Sequence, residues 1–580
     1  KSGTCHALTI NTKDAAGNVK SALSAVTIDL ADGVASGLFF SDNSCGSGIT
    51  QTSIASGANN SIVYYQNDLA ESISLSASDP SATLTTGSLS VTSGPNHLIL
   101  TGNASFKSGT CQTYSVVSKD ASNLTKAVLL DTVVNLTNGA ASGAFYSDNT
   151  CSTTVTSTTI LSASNTSSFY YKDNVGESIT LNGDDAAASL SSASLSVVSG
   201  PNHLTLAGNA SFVSGSCQAY VITTKDATNA TKGVLADTTF DLTDGTAAGS
   251  YYSDNLCTAD ITQTSILTAA SSKTVYYKNN TAETVTLAVA DNPVNLTGAT
   301  LTVLSGPSKL ILTGNAIFKS GSCQTLTVTT KDAANATKNV LTDTTIDFAD
   351  GPANGNFYSN NVCTAAAAQK IITTGNSSTS IFYKDMTGEP ISLTATDAAT
   401  ALTQGTLSVG SGPDKITLSI AGAFLSGSCQ PVSIVTKDAA ANTYGVLVIT
   451  TIALGDTGAG GAYYSDNTCA TLITDTVVGV GTDTTAVYYR NNLATAITLR
   501  ASDNAGVLAT GTAAVTSGPN HFILSGSTSN KAGTCQSYSV VAKDAIPTTG
   551  ITGNYPPAPE PIPPMPSPPA PTPPTPPTPQ

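Results

Sequence analysis

The sequence predicts an all-β chain of tandem β-sandwiches, and three observations carry that prediction: a fixed repeat, a period-2 alternation of side chains, and short, rigid junctions. A fixed period decides the architecture before any single residue does. The eleven Cys stand at 5, 45, 111, 151, 217, 257, 323, 363, 429, 469 and 535, so the gaps alternate between 40 and 66 and the repeat is 106 residues. Ser-Gly-Pro keeps the same step at 93–95, 199–201, 305–307, 411–413 and 517–519. A Lys-Asp pair recurs at 13/14, 119/120, 225/226, 331/332, 437/438 and 543/544. An aromatic pair recurs as Tyr64-Tyr65, Tyr170-Tyr171, Tyr276-Tyr277, Phe382-Tyr383 and Tyr488-Tyr489. Four whole units and two partial ones follow.

Within a unit, HLILTG (97–102), CQTYSVVSKD (111–120), LLDTVVNLT (129–137), SSFYYKD (167–173), ESITLNG (177–183) and SASLSVVSG (192–200) alternate with period 2. They are rich in Val, Ile, Thr and Tyr, the residues that suit a pleated, half-buried surface. Gly, Asn, Asp and Ser clusters separate them. About seven short strands in roughly 100 residues, with frequent turn signals, is the pattern of an immunoglobulin-like sandwich. No stretch holds a 3.6 period, so almost no helix is expected. Adjacent strand residues face opposite sides, which places one member of each aromatic pair in the core and its neighbour at the surface.

The stretch SLSVVSGPNHLTL (194–206) leaves only a short turn between the last strand of one unit and the first of the next. That is too short for a flexible linker. Pro fixes its own φ and restricts the preceding Gly, so successive sandwiches are expected to keep a near-constant orientation and build a rod of roughly 20 nm.

The 580 residues suffice for four or five domains, and 40% apolar content supplies their cores. Charged residues make up 11% of the chain, against about 25% in an average soluble protein. A net charge of -15 with 23 basic residues argues against nucleic acid and against anionic lipid. No apolar run approaches the ~18 residues of a membrane span, so no membrane insertion is expected. The chain starts at Lys1 without an initiator Met, which fits a processed chain or a fragment. The half-cystines lack CxxC pairs and Cys/His clusters. They read as disulfides in an oxidising, extracellular compartment, since a metal site needs ligands that converge four at a time.

The motifs SGTC, a strand ending in KDA, FYSDNxC, a Thr-rich strand, YYKD and a strand like ESITL together resemble the bacterial immunoglobulin-like domains of invasin and intimin type. Such domains stand in tandem on surface adhesins and fibrous surface proteins. The resemblance runs from residue 1 to about residue 548 and implies where units begin. It gives 1–93 as a domain lacking its first strand and 94–199, 200–305, 306–411 and 412–517 as whole domains. A partial unit follows at 518–554, then a Pro-rich tail at 555–580. It further implies that the 40-residue pairs are the intradomain disulfides: Cys5–Cys45, Cys111–Cys151, Cys217–Cys257, Cys323–Cys363 and Cys429–Cys469. Cys535 is then left unpaired or free for an intermolecular bond.

The repeat tests its own candidates for chemistry. His97, His203 and His521 are matched by Lys309 and Lys415 in other units, which speaks against catalysis or metal binding and for a half-exposed strand end. Asp42, Asp148, Asp254 and Asp466 recur in an SDN turn, and Asn360 replaces the fifth. Carboxylates at junctions are able to bind Ca²⁺, but the tolerated Asn fits a turn cap better. The Lys-Asp pairs read as strand-end turn chemistry. No nucleophile elbow, P-loop, dinucleotide fingerprint or HExxH is present, so a non-enzyme without cofactor or metal is expected. Sequons at Asn59, Asn103, Asn123, Asn135, Asn165, Asn209, Asn229, Asn279, Asn295, Asn335 and Asn376 permit N-glycosylation.

Residues 556–580 hold 15 of the 26 prolines and are expected to be extended polyproline II. Lys1 aligns with Lys107, so the first unit lacks the counterpart of 94–106, while the last unit carries PNHFILSG (519–526) and the Cys-bearing strand after it. An incomplete sandwich exposes an unpaired edge. One remedy is strand addition between molecules, giving a head-to-tail homopolymer. The overlap is imperfect, because 531–544 duplicates 1–14; a trimmed array would expose the same edges. The leading expectation is an extracellular structural protein, the subunit of a surface fibre assembled in this way. The alternative is the stalk of an adhesin that projects a binding tip absent from this chain and engages cell-surface or matrix components.

Overall fold

The alternation expected from the strands decides the fold, and the second unit displays it in full. The computed structural model describes residues 1–545. The second unit contains β1 (His97–Gly102), β2 (Ser105–Lys107), β3 (Gln112–Lys119), β4 (Thr132–Thr137), β5 (Ala144–Tyr146), β6 (Thr154–Val155), β7 (Ser157–Ile160), β8 (Thr166–Lys172), β9 (Ser178–Asp185) and β10 (Ala193–Gly200). Its two sheets run β6-β5-β8-β3-β1 and β2-β10-β9-β4-β7. Each sheet has five strands, and the two face each other as the halves of an immunoglobulin-like sandwich. Strand β2 continues from β1 but crosses to the other sheet, where it pairs parallel with β10. The same arrangement recurs in residues 203–306 and 415–518, and in 309–412 with an isolated bridge, Tyr358 to Ala366, in place of β6.

The chain is therefore all-β over its described residues, with five disulfide-bridged repeats of an immunoglobulin-like sandwich. No helix among those residues is long and apolar enough to cross a membrane. The Pro-rich segment lies outside them.

Each sandwich closes on its own core. In the second unit, Tyr114 and Val116 of β3, Phe169 and Tyr171 of β8, and Ile179 and Leu181 of β9 alternate inward and are almost fully buried. Of each aromatic pair, Tyr65, Tyr171, Tyr277, Tyr383 and Tyr489 are buried. Their neighbours are half-buried, as the two-faced strand requires. Phe106 of β2 meets Tyr171 edge-on at 6.3 Å between ring centroids, and Phe212, Phe318 and Phe424 repeat the contact. The buried Tyr hydroxyl needs a partner. Asp32, Asp244 and Asp350 accept it at 2.8–2.9 Å from Tyr65, Tyr277 and Tyr383, and Asn138 donates to Tyr171 at 3.0 Å. Burial first, with nearby carboxylates adding to it, pushes Tyr171 up to about 12, so these phenols stay neutral.

The disulfide pins the start of β3 to the turn between β5 and β6. Cys111 and Cys151 have Cα atoms 5.8 Å apart. Cys151 holds φ at 49°, and the four equivalent cysteines do the same. For a residue with a Cβ this conformation is unfavourable. The Asp148 carboxylate offsets it by accepting the Ser152 and Thr153 amides at 3.1 and 2.7 Å. On the chain-entropy account, such a bridge contributes about 3–4 kcal/mol.

The first unit has two four-stranded sheets. Their outer strands His6–Asn11 and Gly87–Thr92 lack the neighbours that β1 and β2 supply elsewhere. At the far end, His521–Gly526 pairs, among the described residues, with Tyr538–Lys543 alone.

One glycine tests the packing. A Cβ on Gly143 would lie 2.3 Å from the Tyr171 hydroxyl, and Gly37, Gly249, Gly355 and Gly461 face the same contact. Gly143→Ala is expected to destabilise the second unit by about 1–3 kcal/mol. Limited proteolysis of the full chain checks this: new cleavage should fall within 94–199 and spare the other units.

Candidate functional site

The motifs left over from the core converge on one place, the joint between consecutive units. A Ser-Gly pair recurs at each joint, directly after β2 in the units that have that strand, and is preceded by Lys in three cases and by Val213 and Leu425 in the other two. The Ser is buried: Ser2, Ser108, Ser214, Ser320 and Ser426. Its hydroxyl accepts the amide of the Ala that follows Lys-Asp in the next unit. The five bonds are Ala121 to Ser2 at 3.1 Å, Ala227 to Ser108 at 3.0 Å, Ala333 to Ser214 at 3.0 Å, Ala439 to Ser320 at 2.9 Å and Ala545 to Ser426 at 2.9 Å. The glycine is required by the same contact. Gly109 has φ +77°, and a Cβ there would come within 2.8 Å of the Ala227 Cβ.

The Lys-Asp aspartate works on both sides of the joint. Its Oδ1 caps its own turn, taking the Ser122 and Leu124 amides at 3.1 and 2.9 Å in the case of Asp120. Its Oδ2 reaches back 50 residues to a backbone amide of the preceding unit. These bonds are Ala70 to Asp120 at 3.3 Å, Gly176 to Asp226 at 3.0 Å, Ala282 to Asp332 at 3.2 Å and Gly388 to Asp438 at 3.1 Å. Strand-end turn chemistry describes only half of this role. Burial opposes ionisation of Asp226, but the Gly176 amide, the Thr228 hydroxyl and the Ala230 amide together hold its carboxyl below the usual range.

Ser-Gly-Pro-Asn completes the contact. Asn96, Asn202 and Asn520 donate Nδ2 to the carbonyls of Ser2, Ser108 and Ser426 at 2.7, 2.6 and 2.7 Å. In the fifth unit Asp414 stands at this position and cannot donate. Lys319 of the fourth unit pairs with it instead, Nζ to Oδ1 at 3.0 Å.

The remaining candidates lie apart from the joint's polar core. His97 and His203 are half-exposed at strand starts, and His521 is exposed. The SDN carboxylates are occupied by their own turns: Asp42 accepts the Gly46 and Ser47 amides at 3.0 and 2.7 Å, and Asn360 takes over with the Thr364 amide at 3.0 Å. The Ser44 hydroxyl, then the Gly46 and Ser47 amides, hold the Asp42 carboxyl far below the usual range. Among the described residues, no group of three or more His, Cys, Asp or Glu is arranged to hold a metal ion. Ten of the eleven sequon asparagines are exposed. Asn279 is a correction: it is fully buried in a joint and donates Nδ2 to Glu283 at 2.8 Å, so the folded chain does not offer it to a glycosyl donor. Cys535 is exposed and free.

Beside the edge strand His6–Asn11 the first unit carries two adjoining hollows of about 330 and 350 Å³. Leu8, Ile10, Leu75, Leu89 and Val91 line them, where the other units place Leu98, Leu100 and Phe106 or their equivalents.

Ser214→Ala leaves the Ala333 amide without its acceptor, at about 1–3 kcal/mol for a buried group. Proteolysis of the full chain is expected to accelerate at the 306–334 joint, with the rates inside the flanking sandwiches unchanged.

No family model and no curated protein matches the chain. Among solved structures, the Escherichia coli adhesin FdeC is similar over 54% of this chain and 96% of its own, at 16% identity and a TM-score of 0.29. Invasin, a bacterial integrin-binding protein, is similar over 74% and 80%, at 10% identity and a TM-score of 0.28. The Yersinia pseudotuberculosis adhesin InvE is similar over 36% and 58%, at 18% identity and a TM-score of 0.17. Likenesses at such scores assign neither a family nor a ligand.

Proposed function

We propose that this chain is a load-bearing extracellular segment, the repeating body of a surface fibre or of an adhesin stalk. One observation carries the reading: five successive joints close with the same buried Ser-to-Ala bond, so the chain spends its most repeated motifs on fixing one unit against the next. Five disulfides fit an oxidising compartment. Titratable groups with strongly raised pKa values are buried tyrosines and joint carboxylates, which serve packing and docking, so the reading is non-catalytic.

Head-to-tail assembly by strand exchange is the finer form of this proposal. The segment His521–Gly526, HFILSG, matches β1, HLILTG, and exposes Phe522 and Leu524. β1 pairs with β3 so that Leu98 stands opposite Ser118 and Leu100 opposite Val116. Carried over by the 106-residue step, Phe522 of one copy would stand opposite Thr12 of the next and Leu524 opposite Ile10. Asn530 stands where Phe106 fills the core, so the donor supplies the strand but not the aromatic wedge.

Sedimentation velocity and negative-stain electron microscopy of native material test the two forms. Filaments many chains long, dispersed by Phe522→Asp with Leu524→Asp, are expected for strand exchange. Rods that stay single at high concentration would overturn it and leave the stalk reading.

A further inference from the structure

The loop that each unit offers to the next carries an alternation that the fold does not demand. Two residues after the buried Tyr of each aromatic pair stand Asn67, Asp173, Asn279, Asp385 and Asn491. All are buried, Asp173 and Asp385 with no exposed surface. The backbone carbonyl of each takes the amide of the joint glycine, from Gly109 to Asp173 at 2.6 Å and from Gly321 to Asp385 at 2.6 Å. Oδ1 of each accepts the amide two residues on, at 2.8 Å.

The second side-chain atom differs. Asn67 and Asn279 donate Nδ2 to Oε1 of Glu71 and Glu283 at 2.8 Å. Asp173 and Asp385 present an oxygen in that place, towards Glu177 and Glu389, and this Oδ2 has no hydrogen-bond partner in either unit. Two acceptors facing each other in a buried site become a good contact only when a proton lies between them. The other groups around Asp173 are Asp226 of the next unit, the Tyr171 hydroxyl and the Lys232 side chain packed over Gly176. Around Asp385 they are Asp350, the Tyr383 hydroxyl, Asp438 of the next unit and Tyr444, which replaces the lysine over Gly388.

We propose that Asp173 with Glu177, and Asp385 with Glu389, are proton-operated latches. They tighten the second-to-third and fourth-to-fifth joints in acid, while the joints built on Asn67 and Asn279, whose amides already donate to Glu71 and Glu283, lack this response. Burial foremost, with the neighbouring carboxylates adding to it, raises both aspartates to about 6. An unfolded Asp titrates near 4, so the folded joint binds the proton more tightly. The contribution is complete below about pH 4 and is lost as pH rises through about 6. The inference rests on the joint geometry and is independent of whether the chain forms fibres.

Hydrogen–deuterium exchange of the full chain at about pH 5 and about pH 7.5, corrected for the intrinsic exchange rate, tests it. Peptides over 173–177 and 385–389 are expected to gain roughly tenfold protection at the lower pH, and those over 67–71 and 279–283 none. Asp173→Asn with Asp385→Asn copies the chemistry of the first and third units and should abolish the difference, raising protection at about pH 7.5 to their level. An equal response in all four loops, or a response that survives the double substitution, would overturn the proposal.

Discussion

A buried hydroxyl placed between two sandwiches constrains the rest of this chain. Ser108 has no exposed surface, and once buried its oxygen must find a donor; the Ala227 amide of the next unit supplies it at 3.0 Å. The glycine beside it must hold a positive φ, the next unit must bring an alanine within touching distance, and the aspartate before that alanine must reach back to Gly176. A flexible linker would leave each of these groups to water. The joint is thus specified by buried polar groups that satisfy one another across it, and its geometry repeats because its residues repeat.

Inside the units the same economy holds. The buried tyrosine is anchored by Asp or Asn at one end and wedged by phenylalanine at the other, and a glycine leaves room for its hydroxyl. The disulfide and the Asp148 turn fix the β5–β6 corner, where Cys151 adopts a conformation it would otherwise avoid. With 11% charged residues, the chain uses few ion pairs and many side chain-to-backbone bonds. Such bonds are less screened by salt than surface charge pairs.

The period, the strands, the two faces of each aromatic pair and the sandwich class were legible from residue spacing alone, because each rests on local alternation. The joint was legible only as an inventory. Ser-Gly-Pro and Lys-Asp were visible as repeats, yet a reading within one unit assigns Asp120 to its own turn, which is half its role. Its second oxygen acts 50 residues away, and spacing within a unit does not encode that partner. The Asn/Asp alternation at 67, 173, 279, 385 and 491 was likewise in plain view. Its meaning required the Glu four residues on to be seen facing the same atom. Asn279 shows the opposite failure, a sequon whose asparagine the joint buries.

These joints hold the units in one fixed relation to each other. Small-angle X-ray scattering of the monodisperse full chain under oxidising conditions tests it most directly. A rigid, extended particle whose scattering is unchanged between about 0.1 and 1 M salt is the predicted result, since buried hydrogen bonds are little screened. Scattering that fits only an ensemble of freely jointed sandwiches would contradict it.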